Sequence, residues 1–142
     1  MADDRQFCTF FLDGHYFGID LLKVQEVIRH QEMSRVPLAP PIVRGLINLR
    51  GQIVTALDLR RRLRMPERVD DQVPVNVVVH TDDGAVSLMV DEIGDVLAAP
   101  ETAFERPPET LPKAARELIR GVYKLDGRLL LILDIDRAVV PE

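Results

Sequence analysis

Three histidines, one cysteine and two serines are the residues of this chain best suited to metal binding or nucleophilic catalysis. His15 falls in a turn, His30 at the end of a helix-like segment and His80 at the end of a strand-like one. None makes an H-x-x-x-H or C-x-x-C spacing, so no metal pair is predicted. Ser34 and Ser87 lie outside any nucleophile elbow. No glycine-rich loop with a lysine is present to cradle phosphate. Asp134-Ile135-Asp136 pairs two carboxylates, but no loop supplies the further oxygens that a hard cation needs. Cys8 alternates with Phe7 and Thr9 and reads as packing. No catalytic residue, metal ligand or cofactor is expected. An interaction module fits better than an enzyme.

Composition narrows the field further. A chain of 142 residues, 46% hydrophobic and 29% charged, is long enough for one self-sufficient globular core. Its longest apolar runs are far short of the roughly 20 residues that cross a bilayer, so no membrane span is predicted. The acidic start, Met-Ala-Asp-Asp-Arg, leads into no apolar signal region, and a lone cysteine excludes a disulfide framework. A cytoplasmic protein is expected. The net charge of −5 argues against a nucleic-acid partner.

The charge is unevenly spread. Residues 43–64 hold six arginines and one acid, whereas residues 82–109 hold eight acids and one base. These blocks are either two solvated faces or two surfaces for different protein partners.

Hairpins must position whatever site exists. Asp13-Gly14, Arg50-Gly51, Asp83-Gly84 and Asp126-Gly127 each separate two apolar runs. Such pairs suit the type I′ turn, whose central residues both take positive φ. Strands are therefore expected over 7–12 and 16–19, 46–49 and 52–57, 75–79 and 85–90, and 122–125 and 128–133. Helix is predicted over Asp20–His30, where Leu21, Val24, Val27 and Ile28 repeat at three and four and Asp20 can cap. A shorter helix is predicted over Val90–Leu97, weakened by Gly94, and a turn or two over Lys113–Ile119. Loops fall at Met65–Pro74 and at Pro100–Pro112, the latter holding four prolines.

The chain also repeats. Residues 43–63 set over 119–139 match at seven of 21 positions, among them Arg44/Arg120, Gly45/Gly121, Asp58/Asp134 and Arg61/Arg137. Phe17–Ile28 sets over Val86–Leu97 by pattern. Chance likeness between hairpins is one explanation. Duplication is the other, and it predicts two small β-barrel-like halves, about 1–70 and 71–142, packed as one domain. At the turn where the second half has Asp126 the first has Arg50. Asp suits a tight turn better than a long Arg does. Arg50 is thus either a solvated turn residue or a rigid fork of donors for a carboxylate.

Several blocks then occur in order: Phe-Phe-Leu-Asp-Gly-His-Tyr-Phe-Gly-Ile-Asp (10–20), Lys-Val-Gln-Glu-Val-Ile (23–28), Arg-Val-Pro-x-x-Pro (35–40), Arg-Gly-Leu-Ile-Asn-Leu-Arg-Gly (44–51), Asp-Leu-Arg (58–60), Val-Asp-Glu-Ile-Gly-Asp-Val (90–96) and Gly-Arg-Leu-Leu-Leu-Ile-Leu-Asp-Ile (127–135). Together they resemble the CheW family of bacterial chemotaxis coupling proteins, over roughly residues 6–139. Ser87, Thr55-Ala56 and residues 65–72 depart from the usual pattern. The resemblance implies a mainly β fold of two intimately packed SH3-like five-stranded barrel halves with a few short helices. It implies a non-catalytic adaptor without a cofactor, coupling the cytoplasmic tip of methyl-accepting chemoreceptors to the regulatory domain of a CheA-type histidine kinase. Membrane association would come only through receptors.

By motif, the receptor and kinase surface is expected at Val24, Glu26, Val27, Ile28, Gly45, Leu46 and Arg50. A receptor helix would lay its apolar stripe against Val24, Val27, Ile28 and Leu46. Arg50 would pair with an acid of the receptor or with Glu26. Val24 and Val27 are also readable as core. Three other roles stay open: an adaptor of a twitching or biofilm pathway, a small-ligand-binding β-barrel, and an anionic-lipid surface at Arg44–Arg64.

Overall fold

The computed structural model describes residues 4–29, 32–69 and 72–139, so His30 lies outside the described residues. Ten strands form two five-stranded sheets. They are β1 (Asp4–Leu12), β2 (His15–Asp20), β3 (Val24–Arg29), β4 (Val43–Leu49), β5 (Gln52–Asp58), β6 (Val75–Thr81), β7 (Gly84–Val90), β8 (Glu92–Pro100), β9 (Ile119–Leu125) and β10 (Arg128–Leu133). Three short helices are α1 (Leu59–Arg62), α2 (Lys113–Leu118) and α3 (Ile135–Ala138). Sheet A runs β8-β1-β2-β10-β9 and sheet B runs β3-β6-β7-β5-β4. This is the mainly β, paired five-stranded architecture expected from the sequence.

All four predicted hairpins are present. Only two turns put positive φ on both central residues: Asp13-Gly14 at 48° and 79°, and Arg50-Gly51 at 50° and 89°. In the other two only the glycines, Gly84 and Gly127, have positive φ. Arg50, the residue less suited to the left-handed region, therefore occupies it, and Asp126 does not.

The predicted helices over 20–30 and 90–97 are corrected to strands. Only Leu21–Lys23 makes one 3₁₀ turn, with the Asp20 carboxylate accepting from Leu22 N–H at 3.0 Å. A bulge explains both misreadings. In β3 the register steps from Val24 opposite Val79 to Glu26 opposite Val78, so Gln25 is extra. Val24 and Val27, three apart, then share one face, which imitates helical spacing. In β8 the register steps from Val96 opposite Cys8 to Ile93 opposite Phe10, with the same result. The predicted turn over 113–119 is helix α2.

The core has three parts. Between the sheets lie Phe10, Leu12, Phe17 and Ile19 of β1–β2 against Val77, Val79, Leu88 and Val90 of β6–β7. Inside sheet A lie Phe7, Tyr16, Tyr123, Leu130 and Ile132. Inside sheet B lie Ile47, Leu49, Val54, Val78 and Met89. Both hairpins are thus buried on two faces, which is why Phe7–Leu12 and Val75–Val79 read as near-continuous apolar runs. Burying each such side chain contributes about 1.5–3 kcal/mol.

Each sheet curls and is closed by an isolated bridge. Ser34, beyond β3, exchanges backbone hydrogen bonds with Leu46 of β4 at 2.9 and 2.8 Å. Glu105, beyond β8, does the same with Val122 of β9 at 2.9 and 2.8 Å. The crossing chain passes so close that a Cβ on Gly45 would lie 2.7 Å from the Ser34 carbonyl oxygen. One on Gly121 would lie 2.5 Å from that of Glu105. We therefore expect Gly45→Ala to destabilise the protein by about 1–3 kcal/mol, the usual cost of overpacking, read as a lower urea midpoint.

Candidate chemoreceptor and kinase coupling surface

Val24, Glu26, Val27 and Ile28 lie on β3, at one edge of sheet B. Gly45 and Leu46 lie on β4, at the other edge, and Arg50 on the β4–β5 turn. Curling brings the edges together. The Arg50 guanidinium hydrogen-bonds the Glu26 carboxylate through Nη2 and Oε2. The Gln25 amide donates to the same oxygen at 3.4 Å. Of the two acids expected to pair with Arg50, the one within the chain does so.

The pair has a defined electrostatic state. The Arg50 hydrogen bond, helped by Gln25, holds the Glu26 carboxyl below its ordinary range, and Glu26 raises the Arg50 guanidinium in turn. The Arg50 side chain is still 71% exposed, against 23% for Glu26. Arg50 therefore presents free donors to solvent from a fixed place. Its backbone at φ 50 costs about 1–2 kcal/mol for a residue with a Cβ. The turn is pinned by Asn48, whose side-chain oxygen accepts from Gly51 N–H at 2.9 Å.

The apolar candidates divide. Val24 is half-buried against the core between the sheets, and Ile28 against the core of sheet B. Leu46 is half-buried, and Gly45 is buried under the crossing chain at Ser34. Val27 alone of the four apolar candidates is exposed, at 41%. Val27 follows Glu26 on the strand, so the two side chains leave opposite faces of the β3 edge.

The sequence reading missed a second set of residues, a buried ion network where the two sheets meet. Arg60 is 6% exposed and binds Asp91 with two hydrogen bonds, at 2.9 and 2.5 Å. Arg60 also donates to the Pro66 carbonyl at 2.9 Å. Arg68 donates to Asp91 at 2.9 Å and approaches Asp58 at 3.4 Å. Asp13 N–H, in the first hairpin turn, donates to Asp91 at 2.7 Å. The network ties the β1–β2 turn, α1, the 65–69 segment and the end of β7 together. Burial pushes the Asp91 carboxyl up, but Arg60, the Asp13 N–H and Arg68 outweigh it and hold it below the ordinary value. Asp58-Leu59-Arg60 and Val90-Asp91-Glu92 are among the sequence blocks quoted above, so a signal was there. Only the fold shows that they meet.

The arginine block of residues 43–64 is largely used inside the molecule. Arg44 lies 3.7 Å from Asp58, Arg61 binds Glu67 at 2.8 Å, and Arg62 donates to the Ala138 carbonyl at 3.0 Å. Among the described residues no group of three or more His, Cys, Asp and Glu is placed to hold a metal ion. Among them, too, no helix is long and apolar enough to cross a membrane.

The model of the CheW-like domain matches residues 6–140 of this chain. The chain belongs to the CheW family. Chemotaxis protein CheW of Bacillus subtilis is 32% identical over 94% of this chain and 86% of that protein. The CheW of Klebsiella aerogenes is 31% identical over 97% and 83%. The structure of the scaffolding protein TtCheW from Thermoanaerobacter tengcongensis superimposes with a TM-score of 0.87 at 24% identity, covering 99% of this chain and 90% of that one. The resemblance read from the motifs is therefore correct, and the relatives that show it are chemotaxis proteins.

In this CheW-family chain the network makes a direct prediction. Asp91→Asn leaves Arg60 and Arg68 facing a neutral amide and should cost about 3 kcal/mol at pH 7. The Asp91 carboxyl is lowered in the folded state, so its contribution is present above the unfolded value of about 3.9 and fades as the pH falls through the lower folded value. Urea unfolding at neutral and at acid pH should show the gap between wild type and Asp91→Asn narrowing below about pH 4.

Proposed function

We propose that this chain is a non-catalytic chemosensory adaptor that couples transmembrane chemoreceptors to a CheA-type histidine kinase and helps to build the receptor array. In this reading it works in the cytoplasm, beneath the membrane that holds the receptors. It acts as one coupling domain, and its repeats, about 1–70 and 71–142, do not act apart. The observation that carries the reading is the Glu26–Arg50 pair. It holds a guanidinium on a rigid hairpin turn with most of its side chain still open to solvent.

A receptor helix tip offers this surface an apolar stripe flanked by acids. Val27 meets the stripe, and Arg50 answers an acid at its side with directed donors. Glu26 keeps the Arg50 fork in place before the partner arrives, which lowers the entropy lost on binding. Val24 anchors β3 on the core between the sheets, and Ile28 anchors it on the core of sheet B. Gly45 and Leu46 support β4 at the crossing point.

The test is reconstitution with the receptor cytoplasmic fragment and the kinase encoded in the same genome. The readouts are co-sedimentation and kinase autophosphorylation from ATP. Arg50→Asn is the informative variant. Asn-Gly is the favoured type I′ pair, so the fold is kept while the fork is lost. Its expected effect is at least about 2 kcal/mol, near thirty-fold weaker assembly, with urea stability unchanged or higher. Unaltered assembly by Arg50→Asn would remove this surface from the reading. Failure of wild type to bind either partner would remove the coupling role itself.

A further inference from the structure

The repeat gives most places on sheet B a counterpart on sheet A. A shift of 76 sets Asp134 on Asp58 and Arg120 on Arg44, and a shift of 69 sets Asp20 on Met89. The geometry follows the sequence. Asp58 and Asp134 cap α1 and α3, and their N–H groups bond the equivalent carbonyls of Ile42 and Leu118, each at 2.7 Å.

On sheet B this place is filled. Arg68, reaching back from the segment after α1, lies 3.4 Å from Asp58 and donates to the Met89 carbonyl at 3.0 Å. Its side chain is 10% exposed. On sheet A the same place is an open pocket of about 140 Å³, lined by Asp20, Asp134, Asp136, Arg120, Tyr123 and Ile132 among others. Among the described residues the one side chain in ionic contact with Asp134 is Arg137, at 3.8 Å.

We propose that the sheet A pocket receives an arginine side chain of a partner protein, presented on an extended loop as residues 66–69 present Arg68. Asp134 takes the place of Asp58, and Asp20, which lines the pocket, stands at the sequence position of Met89. The shift of 76 also sets Asp136 on Arg60, so this pocket has a carboxylate where the filled one has a guanidinium of its own. Among the described residues Asp136 has only a long ionic contact, with Lys23 at 4.0 Å, and is available to an incoming cation. The cations around the pocket do not bar it. Arg5 is bound to Glu101 at 3.1 Å. Arg120 occupies the position of Arg44, which lies 3.7 Å from Asp58 while Arg68 approaches the same carboxylate. The apolar wall of Ile132 and Tyr123 suits the methylenes behind a guanidinium. This site lies on sheet A, apart from the Glu26–Arg50 surface of sheet B, and does not depend on the coupling reading.

The chain supplies its own probe. A capped peptide of residues 64–69 (Arg-Met-Pro-Glu-Arg-Val) is titrated into the full-length protein, with NMR detection. The expected result is saturable shifts at Ile132, Ile135 and Tyr123 with a millimolar Kd. The Arg68→Ala peptide should bind about ten-fold more weakly, as removal of a charge-assisted hydrogen-bonding group implies. The same loss is expected for the protein variant Asp134→Asn, in which Asn can still cap α3. Asp136→Asn should weaken binding to a smaller degree and leaves the cap untouched. The proposal is overturned by no shifts at these residues, by equal binding of the Arg68→Ala peptide, or by shifts centred on Met89. It is also overturned if N-acetyl-glutamate amide perturbs the pocket and the arginine peptide does not.

Discussion

The β1–β2 hairpin leaves its own half of the sequence and pairs with β8 and β10, and the rest of the architecture depends on that exchange. The β6–β7 hairpin does the reverse, pairing with β3 and β5. Each sheet is one hairpin from one repeat and three strands from the other. Of the four joints between repeats, two are parallel, β2 with β10 and β5 with β7, and two are antiparallel, β1 with β8 and β3 with β6, as are the pairings within each repeat. The exchanged hairpins meet face to face through Phe10, Phe17, Val77 and Val79, so the central core belongs to both sheets at once. Separating the repeats would break two sheets and a core together.

That joint also fixes the electrostatics. The β1–β2 turn ends beside the β7 terminus, and Asp91 receives hydrogen bonds from Asp13, Arg60 and Arg68 there. Charged groups so enclosed are retained only because their partners are in place. Most of the arginine-rich stretch of the sequence is spent on such internal contacts. Arg50 differs, because its partner Glu26 fixes the side chain without covering it.

What was legible in the sequence follows from the range of the forces involved. Hairpins were readable because Asp-Gly and Arg-Gly turns are decided within a few residues. The repeat was readable because Gly45 and Gly121, and Asp58 and Asp134, perform the same steric and capping tasks twice. The bulges at Gln25 and Gly94–Asp95 were not, because a three-residue apolar spacing is the same whether a helix or an interrupted strand produces it. Of the site, the pairing of Arg50 with Glu26 was legible through the motifs. The Asp91 network was not, since its members lie up to 78 residues apart and meet only when the sheets do. Nor was the exchange of hairpins, because both arrangements satisfy the same local pattern.

The exchange also sets an order of assembly during synthesis. All five strands of sheet B lie between Val24 and Val90, so the chain has supplied the whole of this sheet before β8 is made. Sheet A differs, because its β1–β2 hairpin is made before sheet B and its edge partners β8 and β10 are made after it. Sheet B can therefore close between the two instalments of sheet A, and the face formed by Val77 and Val79 is then ready to receive Phe10 and Phe17.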